Sequence, residues 1–293
     1  WCNSDRLFAW MLRQMPFIRE DFADVRADIY PIRLWTVAVF LFGVLPLAHK
    51  RQVGRILIGN EYDTTLKLNH QGITHYAALY DQSKYFDNAL TRYYSKKDWN
   101  KFQFSILRSL SELLILKILV TRYPQLQAHQ VSCHAAHEKE GRIYPCGNCE
   151  KCRRIVGMLC AHDADPTACG YSSDQVARAL RSLEQKKVKQ LGMDAAYLYH
   201  LLLQKNLIAR NPHTERLAKP FEFIMKLRFD QQRSDLQDIP ADIRQALISI
   251  YLEYAGGSVK LNNRRWEPWD VLNSAALNQP YHFESVQQES LEN

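Results

Sequence analysis

From Trp35 to Ala48 the chain reads WTVAVFLFGVLPLA, fourteen residues with scarcely a polar position. That pattern predicts a helix over Arg33 to Lys50 buried on nearly all sides, because it carries no polar stripe to turn toward water. Gly54 then leads into RILIG at 55–59, a short apolar run bounded by turn residues and therefore a strand. Tyr76 to Lys96 carries aromatics at helical spacing. FQFSIL at 102–107 reads as a strand, and SLSELLILKILVTRY at 109–123 as a helix with Ser109 or Ser111 as its cap. HQVSC at 129–133 is a further predicted strand. Strands alternating with helices in this rhythm predict an α/β fold, a doubly wound and mostly parallel sheet covered by helices, over residues 1–173.

The pattern changes after GYSSDQ, where Ser173 or Asp174 caps a helix running toward Gly192. Helical periodicity recurs at 193–206 and 214–229, and IPADIRQALISIYLEYAGG places Pro240 in a first turn and Gly256–Gly257 at a stop. Residues 174–256 are thus predicted to form an all-helical appendage, and 257–293 a surface tail carrying Trp266 and Trp269.

Composition narrows the classes. Of 293 residues, 46% are apolar, enough for a sizeable core, and the longest apolar run is too short to span a bilayer. With no secretory leader pattern at Trp1, the expectation is a cytoplasmic protein without a membrane partner. The net charge of +7 permits a polyanionic partner, but Lys and Arg are interspersed with Asp and Glu, and the densest run, EQKKVKQ at 184–190, reads as a solvated helix face.

The sharpest chemical signal lies between Ser132 and Arg154, SCHAAHEKEGRIYPCGNCEKCRR. Cys133, Cys146, Cys149 and Cys152 are spaced C-x12-C-x2-C-x2-C. Gly147 permits a tight turn there, and Asn148 tolerates the left-handed region. Four thiolates fit a closed tetrahedral zinc site, which is structural because no position is open to substrate. The ferredoxin pattern fails, since its fourth cysteine would fall at Val156. A disulfide framework leaves one of seven cysteines unpaired. His134 or His137 is an alternative to Cys133 as ligand. Arg153 and Arg154 follow the knuckle in the first turn of the next helix and are expected to face the mouth of the sheet.

Ligands of open α/β sheets lie beyond the carboxyl ends of the strands. RILIGNEYD puts Gly59, Asn60, Glu61 and Asp63 at such an end. The two carboxylates and the amide suit magnesium binding, nucleotide orientation or acid–base work. Equally, Asp63 caps the next turn and Glu61 is solvated. His70, His75, Tyr76, Tyr80 and Phe86 read as structural.

Taken together, IGNEYD after a buried helix, the strand–turn–helix FSILRSLSELLILKIL, and SCH…PCGNCEKCRRIVGML…DADP resemble the carboxyl-terminal part of the PP-loop ATP pyrophosphatase superfamily, over about Arg55 to Pro166. Within it they are most similar to the 7-cyano-7-deazaguanine synthase group. The resemblance implies structural zinc on the four cysteines and an adenine-nucleotide hydrolase-like sheet. It also implies ATP with Mg2+, and activation of a small carboxylic acid by adenylation followed by amide or nitrile formation. On that reading Glu61 and Asp63 are catalytic, and Gly59, Asn60, Arg153 and Arg154 bind substrate or nucleotide. The superfamily's Ser-Gly-Gly-x-Asp-Ser phosphate loop does not occur in the chain. It is expected upstream of Trp1 or on a partner chain, with a homo-oligomer as a further expectation. The competing expectation is a non-catalytic zinc module that binds nucleic acid or protein.

Overall fold

A computed structural model describes residues 36–283 apart from His134, Lys189 and Gln190, together with the backbone but not the side chains of Thr36 and His70. The described residues fall into two units: residues 36–60, 64–105 and Phe283 in the first, and 61–63 with 106–282 in the second.

The first unit begins with α1, Thr36–Lys50, which carries Pro46 inside it, and continues with β1, Arg55–Ile58. Leu41 and Leu45, one turn apart, pack with Ile56, Leu90 and Tyr94. Val37 packs at the edge of that cluster, whereas Phe40, Phe42, Val44 and Leu47 are 45–60% exposed. The predicted burial on nearly all sides is therefore corrected to burial of one face.

The stretch after β1 forms a hairpin, β2 (Lys67–His70) and β3 (Ile73–Tyr76), where the aromatic pattern predicted a helix starting at Tyr76. Gln71 and Gly72 both sit at positive φ, 50° and 83°, the turn that matches strand twist in a two-residue hairpin. The helix starts later, as α2, Lys84–Lys96, with Ser83 Oγ accepting the Phe86 amide. β4, Phe102–Ser105, is wholly buried and pairs parallel to β1. Gln103 holds it to α2 by donating to Asp87 and by backbone exchange with Thr91 Oγ1.

The second unit opens with α3, Glu112–Arg122, capped by Ser111. The predicted strand at 129–133 is absent. Residues 124–129 form a 3-10 turn, and 130–133 run irregularly into the cysteine segment without a strand partner. A small hairpin follows, β5 (His137–Lys139) with β6 (Arg142–Tyr144), then α4, Glu150–Ala161. α5 (Ser173–Leu183), with a capping box from Ser172 and Gln175, and α6 (Gly192–Gln204) pack on α4. Val156, Leu159, Leu183, Leu198 and Leu202 lie at the centre of that packing.

Residues 174–256 are not all helical. After α7, Pro212–Leu217, Pro220 prevents continuation, and the chain enters β7, Leu227–Phe229, fully buried. α8, Ala241–Leu252, then leads to β8 (Ser258–Asn262), parallel to β7, and β9 (Arg265–Pro268), antiparallel to β8. The predicted surface tail thus supplies two strands of a three-stranded sheet, and Leu110, Leu227, Phe229, Ile248 and Val271 form the core beside it. The fold is mixed α/β with small parallel and antiparallel sheets. No helix among the described residues is long and apolar enough to cross a membrane.

Candidate metal centre and buried charge cluster

Local chemistry explains the cysteine cage. Gly147 turns at φ +73°, a conformation that favours glycine, and a Cβ there would lie 2.5 Å from the Gln175 side chain and push it aside. Gln175 donates to the Cys146 carbonyl and docks the knuckle on the start of α5. Cys149 is the N-cap of α4, its sulfur accepting the Cys152 amide at 3.4 Å. A thiolate placed there gains from the positive end of the helix. The Cys146 and Ala135 amides point at Cys133 Sγ, at 3.2 and 3.3 Å.

The sulfurs of Cys133, Cys146, Cys149 and Cys152 lie within 4.8 Å of one another, so together they could hold a metal ion. Three of the contacts measure 3.5–3.8 Å. A tetrahedral zinc with bonds of about 2.3 Å sets sulfur separations of about 3.8 Å, so the donor set and spacing are compatible with structural zinc. Burial raises the Cys133 and Cys152 thiols above the ordinary range; the Tyr171 hydroxyl works against this at Cys152. A metal must therefore displace protons to bind. His137 lies in β5 and is not a member of the cage, and His134 falls outside the described residues.

The acidic residues after β1 divide. Gly59 and Asn60 belong to the first unit, where buried Asn60 accepts Ser105 Oγ on its carbonyl and leaves its amide nitrogen without a partner. Glu61 and Asp63 belong to the second unit, within a cluster of charge formed with Glu112, Arg154, Asp194 and Arg228.

Asp194, on the first turn of α6, is fully buried. One carboxylate oxygen accepts the Glu112 amide at 3.2 Å, and the other faces the Arg228 guanidinium at 3.5 Å. Arg228, on β7, is also fully buried. Its guanidinium lies 4.1 Å from the Tyr62 ring centre, and its Nε and Nη1 have no hydrogen-bond partner. Tyr62 donates to Asp230, and Arg233 reaches both. Burial pushes the Asp194 carboxyl well above the carboxylate range against the pull of Arg228, with Asp63, Glu61 and Glu112 adding to the rise. Burial also raises Asp63, opposed by Arg228 and Arg233. Carboxyls perturbed by burial and flanked by arginines are candidates for a functional site.

Arg153 and Arg154 do not face one mouth. Successive helical residues point about 100° apart. Arg154 turns inward and pairs with Glu112 at 3.3 Å, whereas Arg153 bonds Ser182 Oγ and the Lys187 carbonyl. Asp194, Arg228, Arg233 and Tyr62 were not legible as site residues, because they lie far apart in sequence and sit in ordinary helix-start and strand contexts.

Compared with known proteins, the chain matches no family model, no curated protein and no solved structure.

Proposed function

We propose that this chain contributes the carboxyl-terminal part of a PP-loop-type enzyme with a doubly wound sheet that activates a small carboxylic acid with ATP. The acid's carboxylate attacks the α-phosphorus, the bond to the β-phosphate oxygen breaks, and pyrophosphate leaves with its Mg2+. An amine then displaces AMP from the acyl-adenylate to give an amide; loss of water from a primary amide gives a nitrile. Zinc on Cys133, Cys146, Cys149 and Cys152 is structural, fastening the start of α4.

The observation that carries the reading is the group of carboxyls formed by Glu61 and Asp63, just after β1 in sequence, and Asp194 on α6, with Arg228 among them. Within it, Asp63 and Glu61 are the acid–base groups, while Asp194 and Arg228 hold them in position. Gly59 and Asn60 are assigned to nucleotide contact on sequence alone.

The test is acid-dependent exchange of labelled pyrophosphate into ATP by the full-length protein, isolated with any companion chain. Asp63→Asn and Glu61→Gln should abolish exchange while the metal content stays unchanged. Exchange at the wild-type rate in both variants removes the site assignment. Absence of exchange with every acid offered, deazapurine carboxylates included, removes the activity.

A further inference from the structure

α5 turns Ala179 and Leu183 into the core and leaves Arg178 and Arg181, three residues apart, on its exposed face. With Arg153 and Lys186 they surround an open pocket of about 410 Å3, whose floor includes Gly147 and Asn148 of the cysteine knuckle. No carboxylate lines this pocket. Arg153 is fixed in it by Ser182 and the Lys187 carbonyl, and its buried Nε has no partner.

Several other cations of this unit meet carboxylates. Arg154 meets Glu112, Arg228 meets Asp194, Arg233 meets Asp230, and Lys205 meets Asp163. Arg178, Arg181 and Lys186 meet no carboxylate among the described residues. Like charges three apart on a helix repel and bring the fold nothing. Their uncompensated grouping therefore suits an anion from outside.

The ligand's chemistry follows from the walls. No aromatic ring lines the pocket, so a base has nothing to stack on, whereas guanidinium groups match phosphate oxygens in a planar fork. Arg178 and Arg181 lie along α5 and Lys186 three residues past its end, a row on the order of 10 Å, and three of the four cations are exposed. Successive phosphates of a strand cover that length; a single small phosphate does not. The chain's net charge of +7 favours approach of such a polymer.

We propose that this pocket beside the cysteine knuckle binds the phosphodiester backbone of a nucleic acid, irrespective of base sequence, through Arg153, Arg178, Arg181 and Lys186. The site stands apart from the carboxyl cluster, so it holds or falls independently of the ATP reading.

Fluorescence anisotropy of the full-length protein with a labelled single-stranded RNA of about 20 nucleotides, titrated with salt, tests it. Four phosphate contacts predict a slope of log K against log salt near −3, at about −0.7 per contact on a single strand. Arg178→Gln with Arg181→Gln should weaken binding about tenfold or more and flatten the slope by about 1.4, whereas the paired Arg→Lys variant keeps the slope. Both side chains are exposed, so circular dichroism and metal content should not change. No binding by the wild type, or an unchanged affinity and slope in the Gln variant, overturns the proposal. Calorimetric binding of inorganic pyrophosphate that needs Arg178 and Arg181, without RNA binding, also overturns it and makes the pocket a small-phosphate site. Pyrophosphate exchange into ATP is expected to be unmoved by these variants.

Discussion

Arg228→Met leaves the Asp194 carboxylate in an interior where no other cation among the described residues lies within bonding distance of it. When Asp194 is ionised, their 3.5 Å separation at an effective dielectric near 20 gives an attraction of about 5 kcal/mol. Both groups are already desolvated, so removing one partner of the pair costs about 3–5 kcal/mol. Methionine retains apolar contact with Tyr62 but loses the cation over its ring, a further 1–2 kcal/mol or so. Asp194→Leu alone strands the arginine, and it also leaves the Glu112 amide without its acceptor.

The double variant removes both charges. It should recover most of the loss, with a remainder of about 1–2 kcal/mol for that unsatisfied amide. A double-mutant cycle by urea unfolding at neutral pH, followed by far-UV circular dichroism and tryptophan fluorescence, should give a coupling of about 2 kcal/mol or more. Because the Asp194 carboxyl is raised, the single Arg228 variant should lose less stability in mild acid, where Asp194 takes up a proton. Single losses that simply add in the double, within about 0.5 kcal/mol, would refute the reasoning.

Zinc analysis of protein purified without added metal should find one ion per chain, and Cys152→Ser should lower both zinc content and melting temperature; full occupancy in that variant argues against the cage. His162 predicts an acid dependence. Burial lowers its imidazole to about 4, with a backbone contact at Leu113 opposing and Lys117 and Lys205 assisting. The unfolded chain, at about 6.5, then binds the proton first, so stability present above pH 6.5 is lost as pH falls toward 4 and levels off below, by roughly 3 kcal/mol. His162→Gln should flatten that segment of the pH profile; an unchanged profile places the titration elsewhere.

What the sequence alone determined was local. C-x12-C-x2-C-x2-C with glycine inside the knuckle marked a four-thiol cage, because chelate spacing and a left-handed turn are properties of a few adjacent residues. Ser111 as the cap of α3, the strands at 55–58 and 102–105, and the helix after Cys149 were legible for the same reason: capping and short apolar runs are encoded within one turn or strand. Tertiary structure decided the rest. HQVSC has strand-like composition but no strand pairs with it, and 227–229 reads as helix yet is claimed by β8. Arg153 and Arg154 carry the same charge side by side, and only helix packing sends one to Glu112 and the other to the surface pocket. Asp194 and Arg228 lie thirty-four residues apart, and their pairing is decided by burial, which makes an unpaired charge too costly to keep.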